Sequence, residues 1–175
     1  MSEITVRPFE PKDKDGVVSV ILPIQREEFG FSITAEDQPD LAVIPDFYQT
    51  DKGGFWVAEK DGVIVGTIGL KDIGNDQATL RKMFVAAEAR GREHGTAARL
   101  LERLFAHAAG AGLSEIFLGT TEKFLAAHRF YEKHGFEQVE KAHLPETFLF
   151  MKVDTRFYRI DLRGPSGSLS KSTVY

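Results

Sequence analysis

The feature that most constrains this chain is a change of hydrophobic period partway along it. From Phe55 to Val85 the apolar residues fall into three runs, Phe55–Glu59, Val63–Lys71 and Ala78–Val85, whereas from Thr96 to Ala109 they recur at helical spacing as Ala97, Leu100, Leu101, Leu104, Phe105 and Ala108. The first pattern predicts an antiparallel meander whose opening hairpin turns at Asp61-Gly62, a strong two-residue turn signal. The second predicts one long helix, ended by Gly110-Ala-Gly112. Glu115–Gly119 then reads as a short buried strand, and Thr120 or Thr121 caps a helix running to His134, with Gly135 at C′. Strand, helix, strand, helix in that order requires a crossover, which puts two parallel neighbours inside an otherwise antiparallel sheet.

The flanking segments complete the expectation. Glu3–Pro8 is a first strand; Pro11 opens a helix that turns Val17, Val18, Ile21 and Ile24 inward, and Pro23 kinks or ends it. A second helix is expected over Pro39–Tyr48, burying Leu41, Ile44 and Phe47 or Tyr48, and the last two strands over Phe136–Lys141 and Phe157–Leu162. With 175 residues, 42% of them hydrophobic, the chain has material for one core and not two. The reading is therefore one α/β (α+β) domain over residues 1–163, with a Gly- and Ser-rich tail at 164–175.

Several chemistries are excluded by what the chain lacks. There is no cysteine, hence no disulfide, thiolate metal site or cysteine nucleophile. Serine-hydrolase, P-loop and dinucleotide-binding signatures are absent, and no two of the five histidines stand at i,i+4, so no metal site is expected. A formal net charge of −4 argues against nucleic acid as a partner. The longest nearly apolar run, Val17–Ile24, falls far short of the roughly 20 residues that span a bilayer, so no membrane partner and a cytoplasmic protein are expected.

The stretch from Val85 to Thr96, Val-Ala-Ala-Glu-Ala-Arg-Gly-Arg-Glu-His-Gly-Thr, leaves a strand, turns tightly and enters the long helix. Backbone N–H groups converge at such a turn and the helix dipole adds to them, so an anion is the expected guest; Arg90 and Arg92 can add charge, and Gly91 and Gly95 allow positive φ. Taken alone, the same turn also fits an ordinary strand-to-helix connection that needs glycine.

At this point the sequence resembles the GNAT superfamily of acetyl-CoA-dependent N-acetyltransferases, whose cofactor motif is approximately R-G-x-G-x-G/A at the start of a long helix. Arg90-Gly91-Arg92-Glu93-His94-Gly95 followed by Thr96-Ala97 matches it, with Glu93 in place of the middle glycine. A second match, Ala127-His128-Arg129-Phe130-Tyr131-Glu132-Lys133-His134-Gly135-Phe136, looks like the family's A-x-x-F/L-Y-x-x-x-G-F segment and lies about forty residues downstream. The resemblance covers roughly residues 3–162.

The resemblance implies a GNAT-like mixed, mostly antiparallel sheet of about seven strands with about four helices, its two central parallel strands splayed at the cofactor. It implies coenzyme A contacts at Phe84, Val85, Arg90, Gly91, Arg92, Glu93, His94, Gly95 and Thr96, with Phe124 where the family has an Asn seven residues before the tyrosine, and His128 as a cofactor-side contact or solvated residue. Tyr131 would protonate the leaving thiolate, and the N–H of Val85 would face the oxyanion; without the motif, Tyr131 reads as a core aromatic. The function implied is transfer of an acetyl group from acetyl-CoA to a primary amine of a small molecule or peptide by direct attack, in a chain that can form a homodimer. The alternative is a non-catalytic acyl-CoA sensor, motivated by Glu93 and Phe124.

The general base is left open among Glu27, Glu28, Asp72 and a water chain, because Ala78–Val85 contains no acid or His. Gln25, Glu28 and Phe29, at the end of the first helix, are assigned to the acceptor. Residues 1–50 hold ten acids against four bases, which suggests either a solvated face or an acidic channel selecting a cationic acceptor.

Overall fold

Two turns with paired positive φ fold the middle of the chain back on itself. Asp61 and Gly62 (φ 53° and 79°) join β2 (Gly54–Lys60) to β3 (Val63–Gly74), and Asn75 and Asp76 (φ 57° and 58°) join β3 to β4 (Gln77–Val85). Residues with a short polar side chain or none tolerate this region, and its twist matches that of the strands it connects. The computed structural model describes residues 3–163 apart from 92, 123 and 152; Arg92 and the expected tail at 164–175 lie outside the described residues. With β1 (Ile4–Pro8), β5 (Glu115–Thr120), β6 (Glu137–Val139) and β7 (Arg156–Asp161), the strands form a seven-stranded sheet in the order β1-β2-β3-β4-β5-β7-β6. Its neighbours pair antiparallel except β4 and β5, the expected parallel pair.

Alternation along the strands sends side chains to two cores. Trp56, Ala58, Ala78, Leu80, Ile116, Leu118 and Tyr158 meet α3 (Thr96–Ala111) through its Leu100, Leu101, Leu104 and Ala108, and α4 (Leu125–Lys133) through Tyr131. The intervening Phe55 and Val57 face the other way and meet Val17 and Ile21 of α1 (Lys14–Pro23) and Ile44 of α2 (Ile44–Phe47). Phe117 and Phe157, on that same second side, pack with Phe148. α1 ends at Pro23 as expected and passes into a wide turn over Ile24–Glu28.

Three elements depart from expectation. The helix expected over Pro39–Tyr48 is divided into a 3-10 turn, Pro39–Ala42, and the single turn of α2, because Pro45 lacks an N–H and disfavours helical geometry just before it. α4 starts at Leu125 rather than beside a threonine cap, since Thr120 belongs to β5 and Phe124 occupies the N-cap without a side-chain bond. The strand expected over Phe136–Lys141 shortens to Glu137–Val139 because Lys141 already belongs to a 3-10 turn. Among the described residues no helix is long and apolar enough to cross a membrane, and no group of three or more His, Asp or Glu could hold a metal.

Candidate active site

β4 and β5 pair at Gln77↔Glu115, Ala78↔Ile116 and Thr79↔Phe117 and then part, although β4 continues to Val85 and β5 to Thr120. A cavity of about 530 Å³ opens along this seam, walled by β4 from Thr79 to Val85, the end of β5 from Leu118, the first half of α4, and Gln25, Glu28, Phe29 and Phe31 from the segment after α1. Halfway along the β4 wall, Lys82 takes φ 56° and the pairing with β3 slips between Gly69↔Arg81 and Thr67↔Phe84. This is a β-bulge, secured by the Thr67 hydroxyl donating to the Lys82 carbonyl at 2.7 Å. An extra residue breaks the alternation of the strand. Arg81 and Lys82 therefore point to the same side, toward the segment between α1 and β2, while Met83 returns to the α4 side.

There the two cations share one buried carboxylate. Asp40 lies 3.7 Å from Lys82 Nζ and 3.9 Å from Arg81, and its Oδ2 accepts from the Tyr48 hydroxyl at 2.6 Å. Arg81 Nε donates to Tyr48 at 3.1 Å; Lys82 Nζ donates to Gln38 Oε1 at 2.6 Å, and Gln38 is joined to Gln25 by two reciprocal amide bonds. Burial, helped by the Arg81 charge and opposed by Asp40, brings the Lys82 ammonium down to about 8. Asp154, in the segment before β7, faces the same space; burial raises its carboxyl, against a bond from the Met151 N–H and the pull of Arg81 and Lys82.

Tyr131 stands across the seam. Its ring is buried among Phe130, Phe136 and Tyr158, and among the described residues its hydroxyl reaches only the Met83 thioether, 3.7 Å away. Burial pushes the phenol above its ordinary value, so it holds its proton at neutral pH, and a thioether accepts weakly enough to leave that proton available.

The glycine-containing turn has the expected backbone. Gly91 and Gly95 take φ 103° and 60°, Gly95 is the N-cap of α3, and the hydroxyl of buried Thr96 finds no partner among the described residues. Glu93 is exposed and makes no capping bond to α3; its carboxylate folds over Gly91, where an added Cβ would lie 2.7 Å from Oε1. Arg90 differs from expectation. Its Nε bonds the Val85 carbonyl at 2.8 Å and its guanidinium pairs with Glu28 at 2.8 Å, so its charge is turned into the cavity wall rather than toward an anion on the turn.

Of the other expected site residues, Phe84, Val85, Gln25, Glu28, Phe29 and Phe124 line the cavity, whereas Gly91, Glu93, His94, Gly95 and Thr96 lie beyond its lining. Phe29 and Phe124, assigned to acceptor and cofactor, lie against each other with centroids 3.5 Å apart and planes tilted by 31°. His128 is not solvated: it is 4% exposed, its Nε2 sits 2.9 Å from the Thr121 carbonyl, and it lies outside the lining of the cavity. An acidic channel is not found among the described residues. Asp13 is paired with Arg7 and Glu28 with Arg90, and the described charged residues lining the cavity are Arg81, Lys82, Arg90, Glu28 and Asp154, three bases to two acids. Among the candidate bases, Asp72 bonds backbone N–H groups of Lys52 and Gly74, and Glu27 does not line the cavity. The residues that sequence reasoning missed are Arg81, Lys82, Gln38, Asp40 and Asp154. The one available signal was the adjacent pair Arg81-Lys82 inside an otherwise buried strand.

Comparison with known proteins matches this arrangement. The family model described as Acetyltransferase (GNAT) family matches residues 19–136. The N-acetylaspartate synthetase of Danio rerio is 32% identical over 134 residues, 70% of this chain and 47% of that protein, and the probable N-acetyltransferase family 8 member 5 of Mus musculus is 36% identical over 109 residues, 59% of this chain and 47% of that protein. The chain thus spans about half the length of these curated relatives. A GNAT-family acetyltransferase from Staphylococcus aureus Mu50 superposes with a TM-score of 0.87 at 35% identity, covering 91% of this chain and 99% of that one. The PaiA N-acetyltransferase of Thermoplasma acidophilum, solved in complex with coenzyme A, shares the fold at a TM-score of 0.71 and 18% identity, over 91% of this chain and 99% of that one. A splayed parallel pair, a glycine turn opening α3 and a family match across most of the sheet lead to one assignment: the chain belongs to the GNAT family of acetyltransferases.

Proposed function

We propose that this protein transfers an acetyl group from acetyl-CoA to the primary amine of a small acceptor that also carries a carboxylate, an amino acid or close analogue, by direct attack of the neutral amine. The observation that carries the acceptor class is the bulge at Lys82, which sets buried Lys82 beside part-buried Arg81 on the cavity wall, with the Asp40 carboxylate between them and that of Asp154 facing both from beyond 4.0 Å. A buried charge without a full complement of partners is costly, and an acceptor carboxylate supplies the missing one. The name of the relative N-acetylaspartate synthetase, a product with carboxylates, agrees with this class.

The residues present fit acetyl-CoA as donor. Gly91, Glu93, His94, Gly95 and Thr96, with Arg92, would hold the pyrophosphate, an arrangement supported by the positive φ of both glycines and the unpartnered Thr96 hydroxyl. Phe84 and Val85, where β4 leaves β5, would flank the pantetheine arm, and Phe29 packed against Phe124 would exclude water from the seam. The donor supplies an acetyl group activated as a thioester. Tyr131 holds a proton at the far side of the seam for the leaving sulfur. A cytoplasmic location belongs to the same reading.

The test is a matched acceptor panel, each amino acid set against its amide and its decarboxylated amine, with free thiol and N-acetylated product both measured. Preference for the carboxylate-bearing member of each pair is expected. Preference for the decarboxylated amines would remove the acceptor class and leave the acetyltransferase.

A further inference from the structure

We infer that Asp154 is the group that takes the proton from the acceptor amine. The inference rests on the reading of the cavity as the acceptor site of an acetyltransferase. Gly119 belongs to β5 just past the last residue paired with β4, where the seam has opened. It alternates with Leu118, which faces α3 and α4, so the bare side of Gly119 faces the acceptor space. Into that place comes the Asp154 carboxylate. A Cβ added to Gly119 would lie 2.6 Å from Oδ2, 2.7 Å from Cγ and 3.1 Å from Oδ1, so the carboxylate occupies the volume that any other residue would fill. Its position is fixed by the Met151 N–H, which donates to Oδ2 at 2.8 Å, and no cation among the described residues stands within 4.0 Å of it. Among the described residues Arg81 and Lys82 on β4 are the charged groups that face it; burial raises its carboxyl, and their pull and the Met151 bond offset only part of that rise.

Geometry separates Asp154 from its rivals. Glu28 is paired with Arg90, Asp40 accepts from Tyr48 and is flanked by both cations, and Lys82 directs its ammonium at Gln38. Asp154 and Tyr131 reach the seam from opposite faces of the sheet, the arrangement needed for a base on the amine side and an acid on the thiolate side. Asp154 removes one proton from the bound ammonium and passes it to water in the cavity; the freed lone pair forms the C–N bond as the C–S bond breaks. The nitrogen's second surplus proton leaves by the same carboxylate, the sulfur takes a proton from Tyr131, and the Tyr131 phenolate recovers one from solvent. The net products are the amide, free thiol and one proton.

Two variants test this in the full chain with acetyl-CoA. Asp154→Asn keeps an acceptor for the Met151 N–H and loses the base; Gly119→Ala keeps the base and displaces it. Thermal melting and acetyl-CoA titration check that each variant folds and binds donor. For the best acceptor of the panel, Asp154→Asn is expected to lower kcat by about 10²-fold near neutral pH and to recover as pH rises toward the amine pKa, while Gly119→Ala gives a smaller loss in the same direction. With alanine and its mono-, di- and trifluorinated analogues, the deficit should shrink as the amine becomes less basic, because an amine already neutral needs no base before attack. A deficit that is uniform across the series, an unchanged pH profile, or wild-type kcat in Asp154→Asn would overturn the inference while leaving the acetyltransferase reading in place. Failure of the wild-type protein to acetylate any amine would overturn both.

Discussion

Replacing Tyr131 by Phe separates chemistry from packing, because the structure gives its ring and its hydroxyl different jobs. The ring packs against Phe130, Phe136 and Tyr158 at centroid distances of 5.7, 5.6 and 6.1 Å, and phenylalanine preserves all three contacts. Among the described residues the hydroxyl has one partner, the Met83 sulfur at 3.7 Å, which is a weak acceptor, so a buried polar group is held there with little compensation. Removing such a group costs at most a few tenths of a kcal/mol and can stabilise, since leaving a buried polar group poorly bonded carries a penalty of about 1–3 kcal/mol. The melting temperature of Tyr131→Phe should therefore be unchanged or higher. Its kcat should fall by about 10²-fold, close to 2.7 kcal/mol in activation free energy, because the thiolate departs without its proton. The assay is single-turnover release of free thiol at saturating acceptor, which isolates the chemical step from product release. Wild-type kcat in the variant, or a melting temperature several degrees lower, would refute this account and return Tyr131 to the core.

Further predictions concern the turn and the cation pair. Glu93→Gln removes the carboxylate lying over Gly91 and should tighten acetyl-CoA binding roughly twofold to fivefold at low ionic strength, as expected for one charge at a helix N-terminus; calorimetry showing no change would place the pyrophosphate elsewhere. Lys82→Met should raise the KM of carboxylate-bearing acceptors by about tenfold or more, with little effect on their amides, in keeping with loss of a charge-assisted bond. Lys82 is charged below about 8 and neutral above it, so the KM for a carboxylate acceptor should rise as pH climbs through that value, and a flat profile would remove Lys82 from the acceptor site. Asp154→Asn should melt no lower than wild type, since the half-buried carboxylate it removes is one that desolvation disfavours; a marked loss of stability would make Asp154 structural.

Most of the fold was legible because it rests on local patterns. Asp61-Gly62 and the Gly112 stop of α3 lie where turn chemistry puts them, with φ 79° at Gly62 and 80° at Gly112, and the change of period between Val85 and Thr96 announced the parallel pair. Of the cavity wall, Tyr131 followed from a motif, and Gln25, Glu28 and Phe29 from the end of the first helix. The part built by the β4 bulge and the segment before β7 did not. The bulge places a lysine at φ 56°, a geometry that no glycine or asparagine advertises, and strict alternation would have put Arg81 and Lys82 on opposite faces. Asp154 comes from irregular chain and acts through a contact with Gly119, 35 positions away, which periodicity cannot foresee. Charge counted along residues 1–50 misled for a related reason. Asp13 and Glu28 are paired with Arg7 and Arg90, and the cations that set the sign of the cavity come from β4.

The central claim is tested most directly by incubating the protein with acetyl-CoA labelled in the acetyl group and a mixture of amino acids, amides and simple amines, and identifying the labelled product by mass. The account predicts label on the nitrogen of an acceptor bearing a carboxylate, with one free thiol released per acetyl group transferred. Tight binding of acetyl-CoA with no label on any nitrogen, or label confined to amines without a carboxylate, would contradict it.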